Sequence, residues 1–332
     1  MQEQKIAVIG CGVWGRNIVR NFYNLNVLDT VCDIDEENLK KVTQEYCGVK
    51  TTKDINDVLH NPEITCVAVV TPSHLHYKLV KAMLFAGKHV YVEKPISTVA
   101  EEARDLTKLA SERGLVLMVG HLLLYHPAVN RLKMLIDEGV LGEVVYAQSD
   151  RLNVNYFKND RSVMWDLAPH DLSMISYVIG KEPVRVISAI GCSSDRNEIM
   201  DITHLGIEFE DGVIAHISDS WITPQKHVTL MVRGTKATAI LDDTVAANKL
   251  SIYDNFAGGT STNIPLDYLE IEPLKLECQH FISCCETGKK ARSDGENGYS
   301  VVKILEEAEK IMLGEKVKEL NEFNFSLSRL KK

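Results

Sequence analysis

Short apolar runs alternate with amphipathic stretches along the first third of the chain. The apolar runs are rich in β-branched residues and predict strands over residues 5–9, 26–32, 66–70, 89–92 and 115–119. The stretches between them repeat apolar residues at helical spacing and predict helices over residues 15–25, 36–47, 54–60, 76–86 and 99–113. Strands joined by helices of this length form right-handed βαβ units, so we expect a parallel sheet covered on both faces.

The pattern changes near residue 124. After predicted helices over residues 127–138 and 167–179, strand-like runs follow one another at residues 142–152, 183–190, 203–209, 213–221, 228–232 and 238–241. Turn signals at Glu210-Asp211-Gly212 and Gly234-Thr235-Lys236 separate neighbouring runs. Two amphipathic helices, over 274–286 and 297–313, end the pattern.

Together these patterns predict an α/β protein with two domains. Residues 1–123 form a Rossmann domain with a parallel sheet. Residues 124–332 form an α+β domain with a large, mostly antiparallel, open-faced sheet, and its C-terminal helix can pack back on the first domain. An exposed apolar sheet face is unfavourable unless another protein surface covers it. We therefore expect a homodimer or homotetramer that packs through this sheet.

Composition and charge narrow the function classes. The 332 residues are 45% hydrophobic and 25% charged, with a net charge of −9, so no basic surface for nucleic acid or an anionic membrane is indicated. The most apolar late stretch, 115–125, is too short to cross a bilayer, and no targeting pattern precedes the first strand. Eight scattered cysteines show no CxxC pair or zinc-ligand spacing, which favours a reduced cytoplasmic enzyme without a metal.

A glycine loop, Gly10-Cys11-Gly12-Val13-Trp14-Gly15, joins the first strand to the first helix. In this context GxGxxG predicts dinucleotide binding. The first glycine permits the tight turn, the second lets the backbone approach a pyrophosphate, and the third lets helix and strand pack closely. The helix N-terminus then offers N–H groups and a positive dipole end to the phosphates. We also expect Val13 and Trp14 to border the cofactor.

Asp33 follows the second strand, where an acid accepts hydrogen bonds from the adenosine ribose hydroxyls. The next residues, Ile34-Asp35-Glu36-Glu37, contain no cation to pair with a 2′-phosphate. The predicted cofactor is therefore NAD rather than NADP.

Three later segments carry a family resemblance. They are Thr71-Pro72-Ser73-His74-Leu75-His76, the run from Ala86 to Pro95 that ends in Glu93-Lys94-Pro95, and Trp165-Asp166-Leu167-Ala168-Pro169-His170-Asp171. In this order and spacing the chain closely resembles, over essentially its whole length, the glucose–fructose oxidoreductase, inositol dehydrogenase and rhizopine-catabolism (Gfo/Idh/MocA) family.

The resemblance implies roles for these residues. The family's lysine, here Lys94, lies by the nicotinamide and bonds the hydroxyl that is oxidised; its charge favours a developing alkoxide. Thr71, Pro72, His76 and Glu93 are expected to border the cofactor. His170 suits the role of general base, with Asp166 orienting it or binding a neighbouring hydroxyl. Pro169 suggests that the helix begins at or just before His170, which would leave Asp166 in the approach loop. His121 and the segment 125–127 could reach the nicotinamide or the substrate, or only pack between the domains.

The substrate is less explicit. Residues 149–155, with the loop that follows, resemble the branch of the family that acts on nucleotide sugars, and Arg151 and Asn153 are the expected substrate ligands. Arg151, Lys158 and Arg161 are plausible partners for a diphosphate or carboxylate, although the last two could equally be solvated loop charges. The resemblance thus implies NAD-dependent oxidation of C3 of UDP-N-acetylglucosamine.

Other functions stay open on the sequence alone. They are oxidation of the corresponding uronic acid, of a free sugar or of an inositol, and a non-catalytic NAD-responsive regulator. Joint retention of Lys94, Asp166 and His170 favours an enzyme. An imine or biliverdin-type reductase of similar architecture would not need the Asp166/His170 pair.

Overall fold

The computed structural model describes residues 4–154, 161–194, 199–246, 248–254, 261–263 and 271–314. The chain divides into two compact units, one formed by Met1–Pro127 with Tyr268–Val302 and the other by Ala128–Asp267 with Lys303–Lys332. Residues 268–302 thus group with the first unit, whereas the sequence boundary placed them in the second domain. The boundary between residues 123 and 124 stays a prediction.

The helices of the described residues lie in both units. In chain order they are α1 (Gly15–Asn24), α2 (Glu36–Glu45), α3 (Asn56–Leu59), α4 (His76–Phe85), α5 (Ala100–Glu112), α6 (Pro127–Asp137), α7 (Val163–Ile179), α8 (Pro273–Thr287) and α9 (Gly295–Met312). Short 3-10 turns lie at Ser73–Leu75, Leu122–Tyr125 and Glu210–Gly212. Among the described residues, no helix is both long enough and apolar enough to cross a membrane.

The strands form two sheets. Those of the first unit are β1 (Ile6–Ile9), β2 (Leu28–Cys32), β3 (Lys50–Thr52), β4 (Cys66–Val69), β5 (His89–Val92) and β6 (Leu117–Val119). Those of the second unit are β7 (Val144–Val154), β8 (Pro183–Cys192), β9 (Ile202–Phe209), β10 (Ile214–Ser220), β11 (Ile222–Gly234), β12 (Ala237–Asp242), β13 (Leu250–Asp254) and β14 (Ser261–Asn263).

The first unit is a doubly wound parallel sheet. Its strand order is β3-β2-β1-β4-β5-β6, and the order reverses beside β1, where ligands bind at the carboxyl ends of the strands. Strands β1 and β4 are buried throughout, as their apolar sequences predict. Helix α8 completes the core: the Phe281 ring packs edge-on against Phe22 of α1 and Tyr91 of β5 at 6.4 and 6.0 Å between centroids.

The second unit is built on an eight-stranded sheet of order β14-β13-β12-β11-β7-β10-β9-β8. Strands β7 and β10 pair in parallel, and the other neighbours are antiparallel. The predicted turn at 210–212 joins β9 to β10, with Asp211 and Gly212 at φ 57° and 75°. The predicted fold class, a Rossmann unit followed by a mostly antiparallel sheet, is confirmed.

The predicted start of the helix near His170 is wrong. Helix α7 begins at Val163 and contains both Asp166 and Pro169. Proline in a helix interior removes one hydrogen bond and costs about 3 kcal/mol. Fifteen of the 17 residues of α7 are buried, all except His170 and Tyr177, and each large apolar side chain contributes roughly 1.5–3 kcal/mol of burial. Packing against the sheet therefore outweighs the local preference of Pro169.

Candidate active site

The glycine loop lies between β1 and α1 at the carboxyl end of the sheet. Gly10 has a φ of 93°, and a Cβ there would lie 2.6 Å from the Val70 carbonyl oxygen; a Cβ on Gly15 would meet the carbonyl oxygen of Gly10. Gly12 differs, because nothing lies within 4 Å of the position of its Cβ, and Val13 beside it is 89% exposed. The loop is therefore closed where it packs on the sheet and open where a pyrophosphate would approach.

Asp33 closes the other side of this loop. Its Oδ2 accepts the backbone N–H of Cys11 at 2.7 Å, and its Oδ1 accepts that of Asp35 at 2.9 Å. The side chain is only half-buried, and each carboxylate oxygen has a second lone pair. Asp33 is thus held in one orientation and can still accept hydrogen bonds from ribose hydroxyls.

Trp14 and Glu93 link the glycine loop to the end of β5. The Trp14 Nε1 donates to Glu93 Oε1 at 2.7 Å, and the same oxygen accepts from the Tyr91 hydroxyl at 2.9 Å. The backbone N–H of Lys94 donates to Glu93 Oε2 at 3.2 Å. Glu93 therefore fixes an indole and the backbone of Lys94, two parts of the site that the sequence predicted separately.

His76 ties together the two loops that flank β4 and β5. It is 1% exposed, and its Nδ1 lies 2.7 Å from the Pro95 carbonyl oxygen and its Nε2 2.8 Å from that of Thr71. These two hydrogen bonds hold the loop at Thr71 and the loop at Pro95 together. The buried Thr71 hydroxyl has no hydrogen-bond partner among the residues that the structure describes.

Lys94 is half-buried just beyond β5, and its charge acts on His121. The His121 Nδ1 lies 2.6 Å from Asn297 Oδ1. Burial lowers the pKa of His121 to about 4; the Asn297 contact opposes this shift and the Lys94 charge adds to it. His121 is therefore uncharged at neutral pH, and the charge of Lys94 is one cause of this.

Asp166 and His170 lie four residues apart on α7, in the second unit, and share one face of that helix. Asp166 is buried, whereas His170 is one of two residues of α7 that keep partial exposure. A partly exposed imidazole that shares a helix face with a buried carboxylate fits the predicted role of a general base.

Arg151, predicted as a substrate ligand, forms a buried ion pair. Its Nε donates to Asp171 Oδ2 and its Nη2 to Oδ1, both at 2.9 Å, and the Ser149 hydroxyl adds a bond of 2.7 Å to the same carboxylate. Asp219 lies fully buried beside this pair; burial, and next the charge of Asp171, raise the pKa of Asp219 well above its ordinary range. The two hydrogen bonds from the Arg151 guanidinium thus hold α7 at Asp171, the residue that follows His170.

The other predicted substrate residues are placed unevenly. Asn153 lies half-buried near the end of β7, and Arg161 lies two residues before the start of α7. Lys158 lies outside the described residues. In the part of the chain that the structure does describe, no group of three histidine, cysteine or acidic side chains is arranged to hold a metal ion.

Sequence reasoning missed Glu277, Asp171 and Asp219 as members of buried polar clusters. Glu277 had a detectable signal: it lies three residues after Leu274 and four before Phe281, within the apolar stripe of α8. A lone carboxylate at a core position of an amphipathic helix needs a partner elsewhere in the fold.

The doubly wound sheet, the glycine loop and Asp33 together define a protein of the dinucleotide-binding Rossmann class. Residues 4–121 match the oxidoreductase family with an NAD-binding Rossmann fold, and residues 129–240 match the GFO/IDH/MocA C-terminal domain. The chain belongs to the Gfo/Idh/MocA family, so it is an NAD-dependent oxidoreductase of sugars or related polyols. The family resemblance, the cofactor and the enzyme class predicted from the sequence are thereby confirmed.

Named relatives cover most of the chain at low identity. UDP-N-acetylglucosamine 3-dehydrogenase of Acidithiobacillus ferrooxidans is 27% identical over 309 residues, 91% of this chain and 95% of the relative. A crystal form of that enzyme aligns with a TM-score of 0.80 at 25% identity, over 91% of this chain and 95% of the other. The NAD-dependent scyllo-inositol 2-dehydrogenase of Bacillus subtilis is 26% identical over 310 residues, covering 87% and 88% of the two chains. Levoglucosan dehydrogenase, in a complex with NADH and levoglucosan, shares the fold. It aligns with a TM-score of 0.83 at 18% identity, over 94% of this chain and 98% of the other.

Proposed function

We propose that this protein oxidises the C3 hydroxyl of UDP-N-acetylglucosamine to the 3-keto sugar, with NAD as the oxidant. The observation that carries the proposal is the similarity, over 91% of this chain, to an enzyme named for that reaction. Its support in the chain is the joint presence of Lys94, Asp166 and His170. Eight free thiols accord with a cytoplasmic setting.

Each proposed residue has a separate task. NAD, when bound, supplies the acceptor for the hydride that leaves C3. His170 takes the hydroxyl proton as the carbonyl forms, and Asp166 keeps the imidazole oriented for this transfer. The Lys94 ammonium group stabilises the negative charge that develops on the oxygen. Glu93 holds the Lys94 backbone in place through the 3.2 Å bond to its N–H.

The experiment is a panel assay of NAD reduction with UDP-N-acetylglucosamine, its uronic acid, free sugars and inositols, each with and without 2-oxoglutarate. The keto acid serves to reoxidise NADH that stays tightly bound. We expect the highest kcat/KM with UDP-N-acetylglucosamine. Turnover of inositols alone would refute UDP-N-acetylglucosamine as the substrate. If no sugar or polyol were turned over, a non-catalytic NAD-responsive regulator would be favoured.

Lys94→Ala tests the proposed chemistry separately from the substrate. It should lower kcat by about 10²–10³-fold, as expected when one group that stabilises a developing oxyanion is removed. NAD should still bind. The matched control is Lys78→Ala on the exposed side of α4, which should leave kcat and NAD binding unchanged. Retained turnover in Lys94→Ala would remove the catalytic role of this residue.

A second candidate, oxidation of scyllo-inositol, is supported by the 26% identity to the inositol dehydrogenase over 87% of this chain. Among the described residues, Arg151 forms an ion pair with Asp171. The edge of the guanidinium that makes this pair is therefore not available to bind a diphosphate. The panel distinguishes the two, because inositols carry neither a diphosphate nor an acetamido group.

A further inference from the structure

Glu277 of α8 lies buried next to the residues that hold Lys94. It is 1% exposed, and its Oε2 lies 3.2 Å from the hydroxyl oxygen of Tyr91, which is itself fully buried. The same hydroxyl lies 2.9 Å from Glu93 Oε1. One phenol group thus lies between two carboxyl groups whose residues are 184 positions apart in the chain.

With both carboxyl groups ionised, the three side chains have one hydrogen atom for two contacts. The Tyr91 hydroxyl has one hydrogen and can donate to only one carboxylate. Glu93 accepts from three donors: Trp14 Nε1, the Tyr91 hydroxyl and the Lys94 N–H. Among the described residues, Glu277 bonds only to Tyr91, and its Oε1 is buried with no hydrogen-bond partner there. Every contact is satisfied when Glu277 carries a proton and donates it to the Tyr91 oxygen, which in turn donates to Glu93.

The surrounding charges agree with this assignment. The ionisable groups that face Glu277 are Glu93 and Tyr91 of the sheet side, Tyr125 of the 3-10 turn at Leu122–Tyr125, and Cys278 of its own helix. Burial, and next the charge of Glu93, raise the pKa of Glu277 well above its ordinary range. Burial raises the pKa of Glu93 as well, but the bonds from Trp14 and Tyr91 and the charge of Lys94 oppose that shift.

We propose that Glu277 is a positioning residue of the oxidoreductase site: as a neutral acid it fixes the Tyr91 hydroxyl as a donor to Glu93. Glu93 is thereby kept ionised. An ionised Glu93 orients the Trp14 indole and the Lys94 backbone, and it places one negative charge beside the Lys94 ammonium group. The effect on turnover rests on the proposed role of Lys94, whereas the protonation of Glu277 does not.

Gly120 provides an independent observation on the same cluster. A Cβ at this position would lie 2.6 Å from the Tyr91 hydroxyl oxygen and 3.0 Å from Glu93 Oε1. Its φ lies outside the left-handed region, so conformational freedom is not what requires a glycine here. The absent side chain at residue 120 leaves the space in which Tyr91 meets Glu93.

The first test is infrared difference spectroscopy of the NAD-bound wild type against Glu277→Gln at neutral pH. A carbonyl band of a protonated carboxylic acid should be present in the wild type and missing in the variant. This measurement needs no substrate, so it stands even if the proposed sugar is not the substrate. Absence of the band would overturn the proposal.

The second test is turnover on whichever panel substrate the enzyme accepts. Glu277→Gln keeps a neutral donor to Tyr91, so its kcat/KM and its pH profile should stay within about twofold of the wild type. Tyr91→Phe and Gly120→Ala should each lower kcat by about tenfold or more, as displacement of positioned groups does, with a smaller change in the KM for NAD. Glu286→Gln, exposed on the same helix, is the control and should change nothing.

Glu277→Leu completes the series. It should lower kcat as Tyr91→Phe does, and Glu277→Gln should restore it. If Glu277→Leu fails to fold, Tyr91→Phe and Gly120→Ala still report on the cluster. A loss in Glu277→Gln as large as that in Tyr91→Phe would show that Glu277 acts as an anion and would overturn the proposal.

Discussion

The guanidinium of Arg151 and the carboxylate of Asp171 form a two-point ion pair, with both short bonds at 2.9 Å. The Arg151 side chain is 15% exposed and that of Asp171 1%. Because Asp171 directly follows His170 on α7, this pair joins β7 to the helix that presents the proposed base.

Arg151→Met should destabilise the second unit by about 3–5 kcal/mol, because it leaves the Asp171 charge buried without its partner. Denaturant unfolding measures this loss. Asp171→Leu in the same background should cost less than the sum of the single changes, since the double variant removes both charges. Arg185→Met is the control: its pair with Glu208 is 64% and 28% exposed and is worth at most about 1 kcal/mol. A raised substrate KM in Arg151→Met with unchanged stability would instead assign Arg151 to the substrate.

The sequence predicts the strands and helices that have a strong pattern of apolar residues. It does not predict those that depend on pairing or packing with distant parts of the chain. Strands β1, β4 and β5 are near-continuous apolar runs and were predicted within a residue or two. Strand β3 was missed because Lys50-Thr51-Thr52 has no apolar pattern, and its strand geometry comes from pairing with β2. The start of α7 was misplaced because the Pro169 signal is local, whereas burial is a tertiary effect.

The residues of the site likewise divide into those that local spacing predicts and those that only the folded structure brings together. The glycine loop and Asp33 follow from spacing, because their tasks lie within one βαβ unit. The pairing of Arg151 with Asp171, and of Tyr91 with Glu277, depends on elements that meet only in the folded units. A sequence pattern can reveal that Glu277 lies at a core position of α8, but not which hydroxyl it meets.

Asp33→Ala should weaken NAD binding by roughly tenfold to a hundredfold, as expected for the loss of hydrogen bonds to a charged acceptor worth about 1.5–3 kcal/mol. Part of the loss comes from releasing the Cys11 N–H that Asp33 holds at 2.7 Å. Calorimetric titration with NAD and with NADP measures both affinities. Glu45→Ala, the same change of charge at the far end of α2, should leave NAD binding unchanged. Tighter binding of NADP than of NAD by the wild type would contradict the role of Asp33.

His121 should remain uncharged well below the pH at which an exposed histidine titrates. Its pKa of about 4 in the folded chain lies below the ordinary 6.5, so the unfolded chain binds the extra proton first. The contribution of His121 to the free energy of unfolding is therefore complete above pH 6.5 and is lost as the pH falls toward 4. Between pH 7 and pH 5 the loss amounts to about 2 kcal/mol.

Ring-proton NMR measures this titration directly. The His121 resonance should not shift between pH 8 and pH 5, because its pKa in the folded chain is about 4. His121→Gln removes the group, so its unfolding free energy should fall less than that of the wild type over the same range. A His121 midpoint near 6.5 would contradict the burial argument.

The outer face of the second sheet predicts a homodimer or homotetramer. Ala147, Ala215 and Leu230 point inward and are buried, so alternation places their strand neighbours Tyr146, Ile214 and Met231 on the opposite face. Met231 pairs across the strands with Ile240, and Tyr146 pairs with Ile214, so apolar side chains adjoin one another there while keeping partial exposure. Such a face is stabilised when a second copy covers it.

Ile240→Glu should therefore shift the protein toward the monomer, because the new carboxylate would be buried between two copies without a partner. Light scattering at micromolar concentration measures the mass of the wild type and of the variant. Met134→Glu on α6, at a side chain that is 51% exposed, is the control and should leave the assembly unchanged, since α6 is not part of the sheet. A monodisperse wild-type monomer would contradict the prediction outright. Equal dissociation by both variants would mean that the assembly depends on net charge rather than on this face.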